Sequence, residues 1–489
     1  MQIRKFIIFA AMCVTASTVF AQGSLFDLDA IRDTETLDAT VIHDWQPARR
    51  EPSVMQKLVE VTVCQWWPGQ KIRLPVTLSA PKTAISGDSC KHLLVANQSL
   101  PTKTARLSAA QLELIKQDGV GVVLIGIGTI DTMQPVGKLH HEMRRRLLKT
   151  KDPRFCPAWI WGISHMRALT TALTEPTVFA PEKVLATGGS KRGVATAAAG
   201  VYDDRFTAIM PVVAPPLGNP GGAFVLGTED ESITQANEKF FADLAAGKLD
   251  LPESTKKSLQ GRAQRRRDVR VTLQQTREAG WSADDIATIS DQVWDASRVT
   301  DYLPKLRQRG LDIFYNVGTN DSVSPALLEL GKRFPDFPIC IIPGGQHGGP
   351  SDAGFTRRVP QNREVQENFL SFARIHFQNA RKMIAAPMIS SQWDAEQRKL
   401  TVSVEFPDKT KPQKNELWWN LDRSEPYTLP FEYDQWTAVQ LSLNSKGIYQ
   451  TELTFARTPA RIDFVSLHTD NSNDTPLTIS SPYQRLDPR

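Results

Sequence analysis

Cysteine is scarce in this chain, with five residues among 489. None of them lies in a CxxC pair or at a spacing from histidine that is typical of a zinc site. The formal net charge of +5 is too small to predict binding to nucleic acid. After the first 21 residues no apolar run is long enough to span a bilayer. We therefore expect no nucleic-acid partner, no membrane span, no metal and no organic cofactor.

The N-terminus has the pattern of an export signal, residues 1–21. A basic start, Arg4-Lys5, is followed by an apolar stretch from Phe6 to Val14 and then by small residues up to Ala21. The apolar stretch is too short for a transmembrane anchor. We predict cleavage after Ala21 and a secreted or periplasmic protein.

Removal of that signal leaves four cysteines in a chain bound for an oxidising compartment: Cys64, Cys90, Cys156 and Cys340. Four cysteines allow three sets of disulfide pairs, and the sequence does not choose among them. Cys64 and Cys90 flank strands that we predict to be neighbours. This pair is therefore the first expectation.

Between residues 58 and 384 short apolar runs alternate with helical stretches. This alternation is typical of a mainly parallel sheet with helices on both faces. Runs such as 122–125 and 339–342 are continuously apolar, as strands buried on both faces require. The predicted strands are Val59–Gln65, Ile72–Leu78, Leu93–Ala96, Val120–Ile125, Val184–Thr187, Phe206–Val213, Asp312–Val317 and Ile339–Ile342.

Three segments differ from this pattern. Residues 22–57 precede it and are interpreted as an N-terminal extension. Residues 217–306 are polar and helical in character, which predicts a lid over the edge of the sheet where such folds bind ligands. An arginine-rich part of this segment, 262–270, fits a solvated helix face better than a site for an acidic substrate. Residues 385–489 alternate with period two, which predicts a small antiparallel β-sandwich and a second domain.

The most informative segment is Val184–Gly193, which reads as a strand, a sharp turn and a helix with Ser190 at the turn. This is the pattern of a nucleophile elbow, in which flanking glycines avoid clashes with the turn. Gly188 stands two residues before the serine and Gly193 three residues after it, while Arg192 replaces a glycine of the commonest form. The alternative is that Ser190 only caps the helix.

A serine nucleophile needs a histidine base and a carboxylate that orients it. In hydrolases with this kind of turn the chain order is serine, acid, histidine, with the last two after later strands. Asp321 follows the predicted strand Asp312–Val317, and His347 follows Ile339–Ile342. Asp321 and His347 are thus the predicted acid and base.

An oxyanion hole is expected beside the serine. One donor should be the backbone N–H of Lys191, and the second should come from the loop that starts at Asn97-Gln98-Ser99, through the backbone or through the side chain of Asn97 or Gln98. The side chain of Lys191 or Arg192 could also face an anionic group of the substrate; the alternative is an outward salt bridge to a neighbouring helix.

The elbow Thr187–Gly193 and the following Asp204–Val213 resemble the PhoPQ-activated pathogenicity-related family of exported bacterial proteins, whose elbow also reads Ser-Lys-Arg-Gly. Leu417–Asn420 and Asp422-Arg423 are loosely similar to a C-terminal segment of that family. The resemblance implies an α/β-hydrolase fold with Ser190, Asp321 and His347 as a triad, and no defined substrate. Glucuronoyl esterases are also similar, but they carry arginine directly after the nucleophile, where Lys191 stands here.

We therefore expect a serine hydrolase with an α/β-hydrolase domain and a β-sandwich domain, acting on an ester more readily than on a peptide bond. Its substrate would be a small molecule, a carbohydrate or a peptide. A glucuronoyl-esterase-like activity is one alternative. The other is a non-catalytic surface-binding protein on a degenerate hydrolase fold, with Trp393, Trp418, Trp419 and Trp436 as a carbohydrate platform or as core residues.

Overall fold

The structure is a computed structural model, and it describes residues 25–98, 105–126, 136–218, 225–226, 239, 242–248, 253, 256, 271–295, 297–321, 326–347, 362–423, 436–471 and 475–488. The predicted signal peptide, Ser99 and the arginine-rich segment 262–270 lie outside the described residues.

In chain order the strands are β1 (Thr40–Ala48), β2 (Glu51–Trp67), β3 (Gln70–Pro81), β4 (Cys90–Asn97), β5 (Gly121–Ile125), β6 (Phe179–Gly189), β7 (Ala208–Val212), β8 (Val225–Leu226), β9 (Val271–Thr272), β10 (Asp312–Ile313), β11 (Tyr315–Gly318), β12 (Ile339–Ile342), β13 (Met388–Asp394), β14 (Lys399–Glu405), β15 (Lys414–Leu421), β16 (Thr437–Gln440), β17 (Ser442–Leu443), β18 (Tyr449–Thr454), β19 (Ile462–Asp470), β20 (Leu477–Ser480) and β21 (Gln484–Leu486).

The α-helices are α1 (Leu28–Arg32), α2 (Lys82–Ile85), α3 (Ala109–Asp118), α4 (Val136–Thr150), α5 (Pro157–Ala172), α6 (Lys191–Tyr202), α7 (Leu273–Glu278), α8 (Ala283–Asp295), α9 (Leu303–Arg309), α10 (Leu327–Arg333) and α11 (Arg363–Gln378). Short 3₁₀ turns cover Glu35–Leu37, Pro153–Phe155 and Val299–Tyr302.

A ten-stranded sheet forms the centre of the molecule. Its order is β1-β2-β3-β5-β4-β6-β7-β11-β12, and β10 pairs with β7. The pairs from β1 to β5 are antiparallel, and those from β5 through β4 to β12 are parallel. This is the strand order of an α/β-hydrolase fold with β1 added at one edge, so the predicted fold class is confirmed. The added strand falls within the predicted extension 22–57.

Helices cover both faces of this sheet, and the buried strands contribute apolar side chains to the packing on each face. In β5, Val123 and Ile125 pack into one apolar cluster with α5 and α6, whereas Val122 and Leu124 pack into a second cluster with α3 and α11. Alternate residues of a strand point to opposite faces. A continuously apolar run is therefore what a strand covered on both sides requires.

Two antiparallel sheets follow α11. One has the order β13-β14-β18-β17, and the other has the order β16-β15-β19-β20 with β21 paired to β19. Val402 and Leu417 lie in one apolar cluster, so the two sheets share a core, as the predicted sandwich requires. The rings of Trp393 and Trp419 both contact Phe455, with centroids 5.9 and 5.5 Å away. These two tryptophans are packing residues.

The C-terminal sheets also cover the open edge of the central sheet. The Ser480 hydroxyl on β20 accepts a hydrogen bond from the Ile341 N–H (3.1 Å) and donates one to the Ile339 carbonyl (3.0 Å), both on β12. An uncovered edge strand would leave such backbone groups unpaired. Asn368 of α11 adds two bonds to the backbone of Thr478, at 3.0 and 2.7 Å.

The expected Cys64–Cys90 disulfide is wrong. Cys64 lies on β2 and Cys90 at the start of β4, and β3 and β5 run between these strands. Three strand spacings amount to roughly 14 Å, whereas a disulfide needs Cα atoms less than about 7 Å apart. None of the four cysteines of the described residues forms a disulfide: Cys64, Cys90, Cys156 and Cys340.

The segment predicted as a lid, 217–306, is described in part. Its parallel pair β8–β9 is followed by α7 and α8. The Trp281 indole donates to the Leu148 carbonyl of α4 (2.9 Å), and Asp285 pairs with Lys151 (2.7 Å), so this part of the segment packs beside α4. None of the helices in the described residues combines the length and apolar character needed to traverse a bilayer.

Candidate active site

Ser190 occupies a strained turn between β6 and α6. Its φ of 62° and ψ of −128° lie in a region that residues other than glycine rarely adopt. The Ser190 N–H donates to the Val212 carbonyl of β7 (3.0 Å), and the Val194 N–H donates to the Ser190 carbonyl (3.0 Å). Strain of this kind persists only where the surroundings fix it, and it is concentrated at functional sites.

The serine does not cap the helix that it precedes. Its side chain makes no capping hydrogen bond to α6. Instead Oγ lies 2.7 Å from Nε2 of His347. The capping interpretation of Ser190 therefore has no support in the geometry.

The predicted acid and base lie beside the serine at the carboxyl edge of the sheet. Asp321 follows β11 and His347 follows β12, and Nδ1 of His347 lies 3.0 Å from Oδ1 and 3.3 Å from Oδ2 of Asp321. The Asp321 side chain is buried. A carboxylate only accepts hydrogen bonds, so Nδ1 carries the proton and Nε2 is left to accept from the serine hydroxyl. The structure thus brings together three side chains from three separate loops.

Hydrogen bonds connect the loop 318–321, here called the acid loop, with the loop 343–347, the base loop. The Asn320 N–H donates to the Gly345 carbonyl (3.0 Å), and the Gly344 N–H donates to the Thr319 hydroxyl (2.8 Å). Gly344 has a φ of 68°, which favours glycine. The relative position of carboxylate and imidazole is therefore held by backbone as well as by their own contact.

Helix α6 starts close against the neighbouring strand because Gly193 has no side chain. A Cβ at this position would lie 2.7 Å from Cβ of Ala214 and 3.0 Å from the Val212 carbonyl oxygen. Real Cβ contacts are essentially never as short as the first of these distances. The glycine at this position in the motif is thus explained by close packing against the end of β7.

Val213 is a feature of the site that sequence reasoning missed. It has a φ of 46°, which for a β-branched residue is a genuine outlier. Its N–H donates to the Asn316 carbonyl of β11 at 2.7 Å, so it links the strand beside the serine to the strand that bears the acid. No sequence signal marks it, since valine after a strand is ordinary.

The three residues predicted for the oxyanion hole, Lys191, Asn97 and Gln98, lie at the start of α6 and at the end of β4. Lys191 is the first residue of α6, where backbone N–H groups have no partner within the helix and the helix dipole favours negative charge. The Gln98 backbone N–H donates to the Ile125 carbonyl (3.0 Å), so it is already used. Asn97 ends β4 opposite Ile125.

The side chain of Gln98 is unusual. It is 8% exposed, and neither its Oε1 nor its Nε2 has a hydrogen-bond partner in the described part of the chain. Gln98 directly follows β4, and β4 pairs in parallel with β6, the strand that leads to Ser190. Buried polar groups normally have partners. An unpaired amide one strand away from the serine is therefore suited to a ligand oxygen.

The charge of Arg192 is close enough to α5 to affect a histidine of that helix. His165 of this helix is fully buried, and burial, together with the nearby Arg192 charge, lowers its pKa to about 3. His165 is therefore neutral and packed beneath the elbow.

A second hydroxyl–imidazole–carboxylate trio lies at the opposite edge of the sheet. Nε2 of His376 is 2.8 Å from the Thr207 hydroxyl, and its Nδ1 is 2.7 Å from Asp312. The Thr207 hydroxyl already accepts a hydrogen bond from the Val184 N–H (2.8 Å), and Thr207 precedes a strand where Ser190 follows one. Because Thr207 lies before its strand and its hydroxyl is engaged by backbone on both sides, we assign this trio to structure.

Within the described residues no group of three or more His, Cys, Asp or Glu side chains is arranged to hold a metal. Burial raises the pKa of the Cys90 thiol to about 12, and it also raises the pKa of Cys64 and Cys340. Because the thiolate is the reactive form, these three thiols are unsuited to nucleophilic chemistry.

Residues 157–219, from α5 through the elbow, match the family model described as PhoPQ-activated pathogenicity-related protein. The family resemblance predicted from the elbow is confirmed over this segment. The C-terminal residues 417–423, for which the resemblance is loose, lie outside the match.

Some solved structures are similar to this chain at low sequence identity. The acetyl xylan esterase from Paenibacillus sp. R4 is 13% identical over 71% of this chain and 92% of that chain, with a TM-score of 0.39. Acetyl xylan esterase 1 from Thermoanaerobacterium sp. JW/SL YS485 is 12% identical over 67% of this chain and 90% of that chain, with a TM-score of 0.37. A glucuronoyl esterase from Solibacter usitatus is 12% identical over 70% of this chain and 86% of that chain, with a TM-score of 0.35. No curated protein matches this chain in sequence.

Proposed function

We propose that this protein is a serine hydrolase that cleaves an ester bond, with Ser190 as nucleophile, His347 as base and Asp321 as the acid that orients the base. The observation that carries this proposal is the unbroken series of contacts from Asp321 through both nitrogens of His347 to Oγ of Ser190, at 3.0 and 2.7 Å. A serine hydroxyl is a weak nucleophile unless a base within hydrogen-bond reach takes its proton.

In the first half of the proposed reaction, Nε2 of His347 removes the proton from Oγ of Ser190 as Oγ attacks the carbonyl carbon of the ester. The tetrahedral intermediate carries its negative charge on the former carbonyl oxygen. The imidazolium then gives its proton to the departing alkoxide, the C–O bond breaks, and an acyl-enzyme on Ser190 remains. Asp321 holds the Nδ1 proton throughout and stabilises the imidazolium.

In the second half, water takes the place of the alcohol. Nε2 of His347 accepts a proton from the water as its oxygen attacks the acyl carbon. Collapse of the second tetrahedral intermediate breaks the bond to Oγ, which takes the proton back from the imidazolium. The products are one alcohol and one carboxylic acid, and Ser190 is regenerated.

For the oxyanion we propose two donors, the backbone N–H of Lys191 and the side-chain amide of Gln98. The first lies at the N-terminal end of a 12-residue helix and directly follows the nucleophile. The second is buried, unpaired among the described residues, and placed at the end of β4, the strand that pairs with β6. Donors fixed in advance of the reaction cost no reorganisation when charge develops.

A non-catalytic surface-binding protein explains these features less well. Nothing in adhesion requires a strained serine with its hydroxyl 2.7 Å from an imidazole that is itself held by a buried carboxylate. Two of the tryptophans that would form a binding platform, Trp393 and Trp419, pack on Phe455. These contacts favour catalysis.

The test is hydrolysis of p-nitrophenyl acetate, with a p-nitroanilide peptide of matched size as the amide substrate. We expect the wild-type chain to hydrolyse the ester, and Ser190→Ala to lose at least about 10³-fold in kcat. Ser86→Ala, at an exposed serine after α2, is the control and should retain wild-type rates. Equal rates in wild type and Ser190→Ala would refute the proposal, and cleavage of the amide alone would assign a peptidase.

A further inference from the structure

One side chain of the C-terminal sheets reaches the acid loop. Arg423 follows β15 by two residues and is 4% exposed. Its Nη2 donates to the Thr319 carbonyl at 3.2 Å and to Oδ1 of Asn320 at 3.1 Å. These acceptors belong to the two residues that directly precede Asp321. A single guanidinium nitrogen therefore bonds two consecutive residues of the acid loop, next to the catalytic carboxylate.

The same loop residues carry the bonds to the base loop. The Thr319 hydroxyl accepts from the Gly344 N–H and donates to Oδ1 of Asn320, both at 2.8 Å, and the Asn320 N–H donates to the Gly345 carbonyl. Oδ1 of Asn320 therefore accepts from Thr319 and from Arg423 together. Any rotation of this amide would disturb its bonds to Arg423 and to Thr319, whose hydroxyl also holds Gly344 of the base loop.

A second C-terminal side chain lies against the base loop. A Cβ at Gly344 would be 3.6 Å from the Trp436 ring, an ordinary van der Waals distance. The guanidinium carbon of Arg423 lies 5.0 Å from the centroid of the same ring, within range of a cation–π interaction. Arg423 and Trp436 thus meet behind the acid loop and the base loop.

Arg423 is itself fixed in place. Its Nη1 donates to the Tyr483 hydroxyl (2.5 Å), and this hydroxyl donates to the buried Asp463 (2.8 Å). Arg485 donates to the same carboxylate oxygen at 2.7 Å. A planar fork held from one side presents its remaining donors in one geometry, which lysine cannot reproduce.

We propose that Arg423 is a positioning residue for the hydrolysis proposed above, on which this inference rests. It acts through Asp321: by holding Thr319 and Asn320 it fixes the carboxylate that orients His347. The C-terminal sheets are therefore part of the catalytic unit as well as a cover for the edge of the central sheet. Arg423 lies more than 100 positions further along the chain than the loop residues that it holds.

The test is a double-mutant cycle between Arg423→Met and Asp321→Asn, in the full-length chain with p-nitrophenyl acetate. In the wild-type background Arg423→Met should lower kcat by about 10- to 100-fold, because small displacements of a catalytic group have effects of that size, and should leave KM nearly unchanged. In the Asp321→Asn background it should lower kcat by less than about threefold, because effects on a shared unit do not add. If Arg423 only stabilised the fold, Arg423→Met would lower kcat by the same factor in both backgrounds.

Two further variants keep the outcome interpretable if Arg423→Met does not fold. Arg423→Lys retains the charge but not the fork, and should lower kcat about 5- to 20-fold without loss of thermal stability comparable to the Met variant. Arg381→Lys is the control, since Arg381 pairs with Asp470 and the Thr475 carbonyl away from both loops, and should retain wild-type kcat.

The inference would be overturned if kcat were unchanged in both Arg423→Lys and Arg423→Met, or if the losses in the cycle were additive. The proposed function would still stand in that case, provided that turnover depended on Ser190. Absence of Ser190-dependent turnover in the wild-type chain would overturn the proposed function itself. The two failures are therefore separate observations.

Discussion

The backbone at Gly188 faces the Arg192 carbonyl oxygen so closely that a Cβ at position 188 would lie 2.7 Å from that oxygen. The next residue, Gly189, has room: a Cβ there would meet nothing nearer than 3.8 Å. The elbow therefore contains two adjacent glycines of which only the first is required by packing. The two make a matched pair for testing how the turn holds Ser190.

We expect Gly188→Ala to lower the unfolding free energy by about 1–3 kcal/mol, the usual cost of overpacking, and to lower kcat by shifting the first turn of α6. Gly189→Ala should have little effect on either quantity. Chemical denaturation and p-nitrophenyl acetate hydrolysis measure the two effects. Similar behaviour of the two variants would show that the clash at 188 does not control the turn.

Asp321→Asn should reduce kcat by about 10⁴-fold with little loss of stability. The neutral amide can donate to Nδ1 of His347, which favours the tautomer whose Nε2 carries the proton and cannot accept one from Ser190. Steady-state kinetics on p-nitrophenyl acetate give the value. A loss of less than tenfold would show that the carboxylate does not set the tautomer.

Gln98→Leu should separate activity from stability. If the amide serves the oxyanion, kcat should fall by about 10²- to 10³-fold, with a much smaller change in KM. Stability should stay the same or rise, because an unpaired buried amide is replaced by an apolar group of similar size. Asn97→Ala is the comparison variant, and a loss of kcat there with none in Gln98→Leu would reassign the second donor to Asn97.

Stability should fall in acid because of buried histidines. Burial lowers the pKa of His468 to about 3 in the folded chain, against about 6.5 in an unfolded one. Between these values the unfolded state binds a proton that the folded state does not, so the contribution is fully present above pH 6.5 and declines as the pH falls toward 3. His165 has a pKa of about 3 for the same reason.

The hydrogen bonds of His468 agree with a neutral ring. The Asn415 amide donates to the Pro412 carbonyl, which turns its Oδ1 toward Nδ1 of His468 (2.7 Å), while Nε2 lies 2.8 Å from the Ser466 hydroxyl. When unfolding free energies are measured from pH 7 to pH 5, their average slope against pH should be smaller by about 1 kcal/mol per pH unit in His468→Gln than in wild type. An unchanged slope would show that this ring is protonated in the fold.

Much of the central sheet could be predicted because its strands carry local signals. Continuous apolar runs at 122–125 and 339–342 lie within β5 and β12, and the chain order of Ser190, Asp321 and His347 placed all three at one edge. Parallel strands end at the same edge of a sheet, so residues that follow them converge whatever their separation in sequence.

The rest depends on contacts that a single sequence does not display. The edge strand β1 lacks a buried face, and it exists because it pairs with β2. The sheet order β2-β3-β5-β4, which separates Cys64 from Cys90, follows from the crossover between strands and not from their composition. The strain at Val213 and the reach of Arg423 to the acid loop arise only in the assembled fold.

The most direct measurement is the reaction of the purified chain with a fluorophosphonate, followed by intact-mass and peptide mass spectrometry. We predict one adduct per chain, located at Ser190, that forms much more slowly in His347→Gln but at the wild-type rate in His376→Gln, whose imidazole contacts Thr207 and Asp312 at the other edge of the sheet. No adduct, an adduct on another residue, or equal rates in wild type and His347→Gln would contradict the account.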